Sequence, residues 1–163
     1  MTKTQAKFLI YKANKFIQHL DGINFFNLHL LNRISPQVRK EIQQAYAIDS
    51  TNNRIYLPHP VDINLLMRYL ITLSGTDKIF SCWLIFEGRL KIVMEGDNFP
   101  LFVESIFREQ GSYDLTLFFD IPPKVIVVND NEYHLDIYIA IVFDVEYFYD
   151  SQKIAPPRGD ATF

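Results

Sequence analysis

The stretch "NEYHLDIYIA" places His134 and Asp136 two residues apart in a segment that favours strand. Residues i and i+2 lie on one face of a strand. A carboxylate beside an imidazole can orient a general base. Tyr138 falls on the same face, and Leu135, Ile137 and Ile139 fall on the other, which is the expected core face. General-base catalysis also needs a nucleophile and an electrostatic stabiliser. The surrounding sequence supplies neither, so no catalytic residue and no enzymatic activity are expected. The default reading of this face is the polar surface of the last strand.

Other chemistry is equally thin. The four histidines, His19, His29, His59 and His134, have no second His or Cys at metal-ligand spacing. No metal and no cofactor are expected. His59 stands between Pro58 and Pro60 and belongs to a rigid turn. The six glycines form no phosphate-binding loop and no nucleophile elbow. Cys82, the single cysteine, adjoins Trp83 in an apolar run, with no basic neighbour in sequence to lower its pKa. It reads as a buried structural thiol. One cysteine allows no disulfide framework, which suits a reducing, cytoplasmic compartment. Arg158-Gly159-Asp160 matches a short adhesion tripeptide that arises often by chance.

These residues must be positioned by elements that the pattern outlines. "AKFLIYKANKFIQHL" reads as an amphipathic helix with Phe8, Leu9, Lys12, Phe16 and Leu20 near helical spacing, stopped by Asp21-Gly22. "INFFNLHLLNRI" fits a helix or a short strand. "SPQVRKEIQQAY" reads as a helix capped by Ser35, with Pro36 at its first position. "NRIYLP" is a short strand. Asp62 caps the next helix, with an apolar stripe of Ile63, Leu66, Met67, Leu70 and Ile71, and Gly75 ends it. "KIFSCWLIF" and "RLKIVME" flank a hairpin turn at Glu87-Gly88. Asn98 starts another helix, with Leu101, Val103, Ile106 and Phe107 inward and Gly111 at its end. "YDLTLFF" and the two strands of "KVIVVNDNEYHLDIYIA" follow. "IVFDVEYFYD" either extends the last strand or packs back over the sheet. Helices precede mainly antiparallel strands, an α+β order. The expectation is a single α+β domain over residues 1–150, with an antiparallel sheet of five or six strands and helices on one face. Residues 151–163 read as a mobile tail.

At 163 residues the chain is long enough to bury a core without disulfides or metals. Fourteen Phe, nine Tyr and one Trp favour strands and large packed contacts. No signal peptide and no apolar run long enough for a membrane span are visible. The net charge of −3 conceals an asymmetry. The first 50 residues are basic on balance and the remainder acidic, and Val125 to Gln152 contains six carboxylates and no Lys or Arg. Such a surface repels nucleic acid. It is either a solvated face or a docking surface for a basic partner.

From Asp62 onward the element order resembles the SUKH superfamily. The resemblance runs over about residues 55–140: a helix, the Trp-bearing strand "FSCWLIF", "KIVMEG", the inserted helix "FPLFVESIFREQG", "YDLTLFF" and the closing hairpin. It implies a small α+β domain, often a bacterial immunity protein that neutralises a toxin by binding without catalysis. The expected function is therefore an intracellular immunity or antitoxin-type protein that occludes a cognate, basic, nuclease-type toxin through an acidic surface. The candidate partner contacts are Glu95, Asp97, Asp130, Glu132, His134 and Asp136. Two rival classes stand beside it. One is a small-molecule-binding or enzymatic domain with an aromatic-lined pocket. The other is a homo-oligomer paired through "IVFDVEYFYD" at a sheet edge.

Overall fold

The computed structural model describes residues 1–31 and 54–141. The expected helix capped by Ser35, the segment "IVFDVEYFYD" beyond its first residue, and the tail 151–163 lie outside the described residues. Helix α1 (Lys3–Gln18) begins at Thr2, whose hydroxyl accepts the Gln5 N–H while the Gln5 side chain accepts the Thr2 N–H. Strand β1 (Ile23–Leu30) follows the Asp21-Gly22 stop, so the ambiguous "INFFNLHL" is a strand. Strand β2 (Ile55–Pro58) is short. Helix α2 (Ile63–Ser74) is capped by Asp62, which accepts the N–H groups of Asn64 and Leu65, and ends at Gly75 with φ +81°. Strands β3 (Phe80–Phe86) and β4 (Leu90–Gly96) form a hairpin whose turn holds Glu87 and Gly88 at positive φ. That hand of turn matches the twist of the strands. Helix α3 (Phe99–Gln110) starts at Asn98 and ends at Gly111. Strands β5 (Leu115–Asp120), β6 (Pro123–Asp130) and β7 (His134–Ile141) complete an antiparallel meander.

The fold is α+β, and the described residues form one seven-stranded antiparallel sheet in the order β1-β4-β3-β5-β6-β7-β2. The sequence leads one to expect five or six strands. β1 and β2 join the sheet, one at each edge. The three helices among the described residues pack on one face. Leu9, Ala13 and Ile17 of α1, Leu66 and Leu70 of α2, and Phe99, Phe102 and Ile106 of α3 meet Ile92, Met94, Leu117, Ile126, Leu135 and Ile137. Phe80 is the hinge of this core, stacked on Phe102 at 4.7 Å and edge-on to Phe99 at 5.6 Å.

Two helix faces differ from the sequence reading. Along α1 and the turn that follows it the buried stripe is Leu9, Ala13, Ile17 and Leu20, and Phe8 is exposed. Small Ala13 lets the helix sit close to the sheet, and the 9-13-17-20 spacing keeps one line of contact. In α3, Leu101 is exposed and Phe99 and Phe102 are fully buried. With Asn98 as the cap, Phe99, Phe102, Val103 and Ile106 form the i, i+3, i+4, i+7 stripe, which turns Leu101 outward.

The other sheet face has its own buried cluster of Trp83, Phe118, Val125, Val127 and Tyr138. Trp83 and Phe118 stack at 3.9 Å, Lys91 Nζ stands 4.3 Å from the centre of the Trp83 ring, and Trp83 Nε1–H donates to Asp120 at 3.0 Å. Burial lowers the Lys91 pKa, partly offset by Asp120. This face is therefore apolar at its centre and not the uniform polar surface read from the last strand.

Two further contacts fix the frame. Lys124 on β6 donates to the carbonyls of Leu73 and Ser74, 2.8 Å each, and so closes the C-terminus of α2. At the corner between β1 and β4, Gly96 lies against Gly22 and the Phe80 ring so closely that a Cβ would not fit.

Candidate functional site at the closing hairpin

The turn from β6 to β7 is built by side chains that hold backbone. Asn131 Oδ1 accepts the N–H groups of Tyr133 and His134 at 3.2 and 3.1 Å. Asp130 Oδ2 accepts the Tyr113 N–H at 2.9 Å, and the Asp130 N–H donates to Asp114 Oδ1 at 2.8 Å. These bonds fasten the hairpin to the loop before β5. His59 fastens it to the other edge. Its Nε2 lies 2.9 Å from the Asn131 carbonyl and 3.2 Å from Asp130 Oδ1, and its backbone N–H donates to the Tyr133 carbonyl. Both Nε2 neighbours are acceptors, so Nε2 carries the proton.

A His–carboxylate pair thus exists, but not the one the spacing suggests. Asp136 turns to Arg54, with Nη1 to Oδ2 at 3.0 Å, and the guanidinium lies 5.0 Å from the centre of the Tyr138 ring. Arg54 Nε and Asp136 Oδ1 are buried without a hydrogen-bond partner. His134 meets the Tyr56 ring edge-on at 5.2 Å. The i, i+2 spacing gave the shared face correctly, and cross-strand neighbours decided the contacts. His59 and Arg54 were missed because their partners lie far along the chain. The only sequence signal was the rigidity of Pro58-His59-Pro60.

The six candidate contacts fall into separate places. Asp130, Glu132 and His134 sit together at the hairpin. Asp136 is drawn inward to Arg54. Glu95 is exposed on β4, in register with Phe25 of β1 and Ser81 of β3, and Asp97 follows it, its N–H donating to Gly22. Following the register through β3 and β5 puts Glu95 beside the start of β6, roughly 25 Å from Asp130 at its end. One flat ligand surface does not unite all six.

The hairpin end gathers more acid than the sequence grouping suggests. Beside Asp130 lies a shallow cleft of about 440 Å³, with Ile63, Phe107 and Tyr113 as apolar lining and Glu104 and Arg108 beside it. Arg108 is engaged by Asp21 and the His19 carbonyl, both at 3.0 Å. Asp62, Asp114 and Glu132 are exposed around this end. Tyr133, at the turn, is 74% exposed, and Tyr56 is 57% exposed.

Among the described residues, no group of three or more His, Cys, Asp or Glu side chains is placed to hold a metal ion. Among them also, no helix is long and apolar enough to cross a membrane. Fold and site together define an α+β protein with a seven-stranded antiparallel sheet and an acidic, tyrosine-bearing hairpin end. No protein-family model, curated protein or solved structure matches the chain.

Proposed function

We propose that this chain is an immunity or antitoxin-type binding protein that neutralises a cognate basic toxin by occlusion, with its hairpin end as the docking surface. The observation that carries the reading is Tyr133, three-quarters exposed at the turn, adjoining Glu132 in the hairpin that Asp130 and Asp114 fasten. An exposed aromatic beside carboxylates is the composition of an interface hot spot for a cationic surface. The side chains of Asn131, Asp130 and His59 hold the turn in shape, so little ordering is needed on binding. The same bonds occupy the one His–carboxylate pair of this end, which favours binding over proton transfer. Within the expected contact set, Asp130, Glu132 and His134 remain at the interface. Glu95, Asp97 and Asp136 leave it.

The test is co-expression with the product of the neighbouring reading frame, read as growth rescue, followed by titration of the purified pair. Glu132→Lys and Tyr133→Ala touch no side-chain bond of the turn, and each should weaken binding at least tenfold with an unchanged circular dichroism spectrum. Unchanged affinity in both variants would remove the hairpin end from the interface. No rescue and no complex would remove the function.

A further inference from the structure

The two edges of the sheet are built differently. β2 has four residues, follows Arg54 and ends in Pro58. A short strand flanked by a charge and closed by proline is a protected edge. β1 has eight residues, "INFFNLHL", with neither a Lys, Arg, Asp or Glu nor a proline. Its register shift lies between Ile23 and Phe25, and from Phe25 to Leu30 its pairing with β4 is unbroken. Phe25 and Phe26 are 52% and 41% exposed. Among the described residues, no strand pairs with the outer edge of β1.

The backbone parity of that edge can be read. The Leu31 N–H donates to the Arg89 carbonyl at 2.9 Å, on the β4 side. Groups alternate along an antiparallel ladder, so the N–H and C=O of Phe26 and Leu28 face outward. The Leu28 N–H is taken by the side-chain oxygen of its own neighbour, Asn27, at 2.9 Å. A local side chain fills a place that a further strand would otherwise take.

We propose that β1 pairs antiparallel with β1 of a second copy of this chain, about a two-fold axis at Asn27, joining the two sheets edge to edge. A two-fold normal to the sheet keeps each face continuous, so only residues of like parity stand opposite each other. With the axis at Asn27, Phe26 faces Leu28 of the second copy on the helix-bearing side, and Phe25 faces His29 of the second copy on the other side. Both exposed phenylalanines gain a partner, and the paired stretch stays within the regular part of the strand. The outward groups of Phe26 and Leu28 meet as a hydrogen-bonded pair once the Leu28 N–H exchanges the Asn27 side-chain oxygen for the carbonyl of the second copy. An uncharged strand meets its copy without repulsion and offers nothing to a highly charged partner, which singles out self-pairing. The proposal rests on this edge alone and is independent of what docks at the hairpin. A seam of one strand pair is smaller than the roughly 1,200–2,000 Å² of a standard interface, so the dimer forms in the micromolar range.

Sedimentation equilibrium over ~5 to ~500 µM should show the mass climbing from 19.1 kDa towards twice that value. Phe26→Lys should raise the dissociation constant at least tenfold while the circular dichroism spectrum is kept. The register is read by oxidation of two single variants in the otherwise unchanged chain. Asn27→Cys places its thiols at a non-hydrogen-bonded pair with Cα atoms ~4.5 Å apart, and should cross-link. In His29→Cys the two thiols lie ~13 Å apart and should not. A monomer mass at every concentration would overturn the proposal. So would a dimer in which Asn27→Cys stays reduced and His29→Cys cross-links.

Discussion

Asp136 is the residue where surface chemistry and folding are most easily confused, and its replacement gives a sharp test. Its side chain is only 13% exposed, and its partner Arg54 is 30% exposed. At 3.0 Å and an effective dielectric of ~20, the gross Coulomb attraction is about 5 kcal/mol. Most of this is offset by desolvation, because Arg54 Nε and Asp136 Oδ1 are buried with no partner. The net value of the pair is therefore small, about 1 kcal/mol. Breaking it is more costly, since a half-buried guanidinium is left over the Tyr138 ring. Asp136→Ala should destabilise by about 2–3 kcal/mol, and Asp136→Lys, which sets two cations side by side, by about 4 kcal/mol. The double variant Arg54→Met/Asp136→Leu keeps the volume and removes both charges. It should lie within about 1 kcal/mol of the parent chain. Urea unfolding followed by Trp83 fluorescence on the same sheet face measures the three variants beside the parent chain. For a chain of this size, 2–3 kcal/mol corresponds to ~1–2 M in the midpoint. Single variants as stable as the parent would refute a buried pair. A double variant no more stable than Asp136→Ala would refute the coupling. Charge reversal at Asp136 would in any case weaken partner binding through unfolding, so it cannot serve as an interface probe.

Other outcomes follow from the frame and the buried titratable groups. Gly96→Ala drives a methyl group into the Gly22 carbonyl and the Phe80 ring, and should cost about 3 kcal/mol by chemical denaturation. Lys124→Ala frees the carbonyls of Leu73 and Ser74 and should lower stability by about 2 kcal/mol, seen as a melting point lower by ~4–8 °C. Burial lowers the Lys91 pKa from 10.5, so the folded chain releases that proton before the unfolded chain does. Its contribution to stability therefore rises with pH through the window just below 10.5, and the parent chain should gain on Lys91→Met across that window in urea midpoints. Burial pushes the Cys82 thiol far above its ordinary range, so a thiol reagent at pH 8 should label it at the unfolding rate and not before. Rapid labelling of native protein would place Cys82 outside the core.

Much of the frame was legible because caps and stops are local. Asp62 with Gly75, Asn98 with Gly111 and the Glu87-Gly88 turn bound their elements by chemistry within four residues. Alternation in "HLDIYIA" placed Leu135 and Ile137 in the core for the same reason. "INFFNLHL" stayed ambiguous because its strand identity comes from β4, a partner far along the chain. The second buried face was missed because Tyr138 was read with the polar side of its strand, and Trp83 and Phe118 stand on strands far apart in the chain. Only the register brings Trp83 to Phe118 and Phe118 to Val125. The site was half legible. Composition marked the acidic hairpin, while the pairings of Asp130 with His59 and of Asp136 with Arg54 are tertiary events without a local signature.

β1 and β2 follow one another in sequence yet stand at opposite margins of the sheet, each beside a strand made much later. Phe26 meets Met94, and Leu57 meets Leu135, so these pairings wait for ~70 and ~80 further residues of synthesis. At ~5–20 residues per second a nascent chain carries both strands unpaired for several seconds. The hairpins β3–β4, β5–β6 and β6–β7, by contrast, are built of neighbours. Assembly should therefore run from the middle outward, although translation runs from the margins inward. The phenylalanines of β1 leave the ribosome ~70 residues before the strand that pairs with them, and through that interval they stay unpaired hydrophobic surface of the kind on which chaperones act.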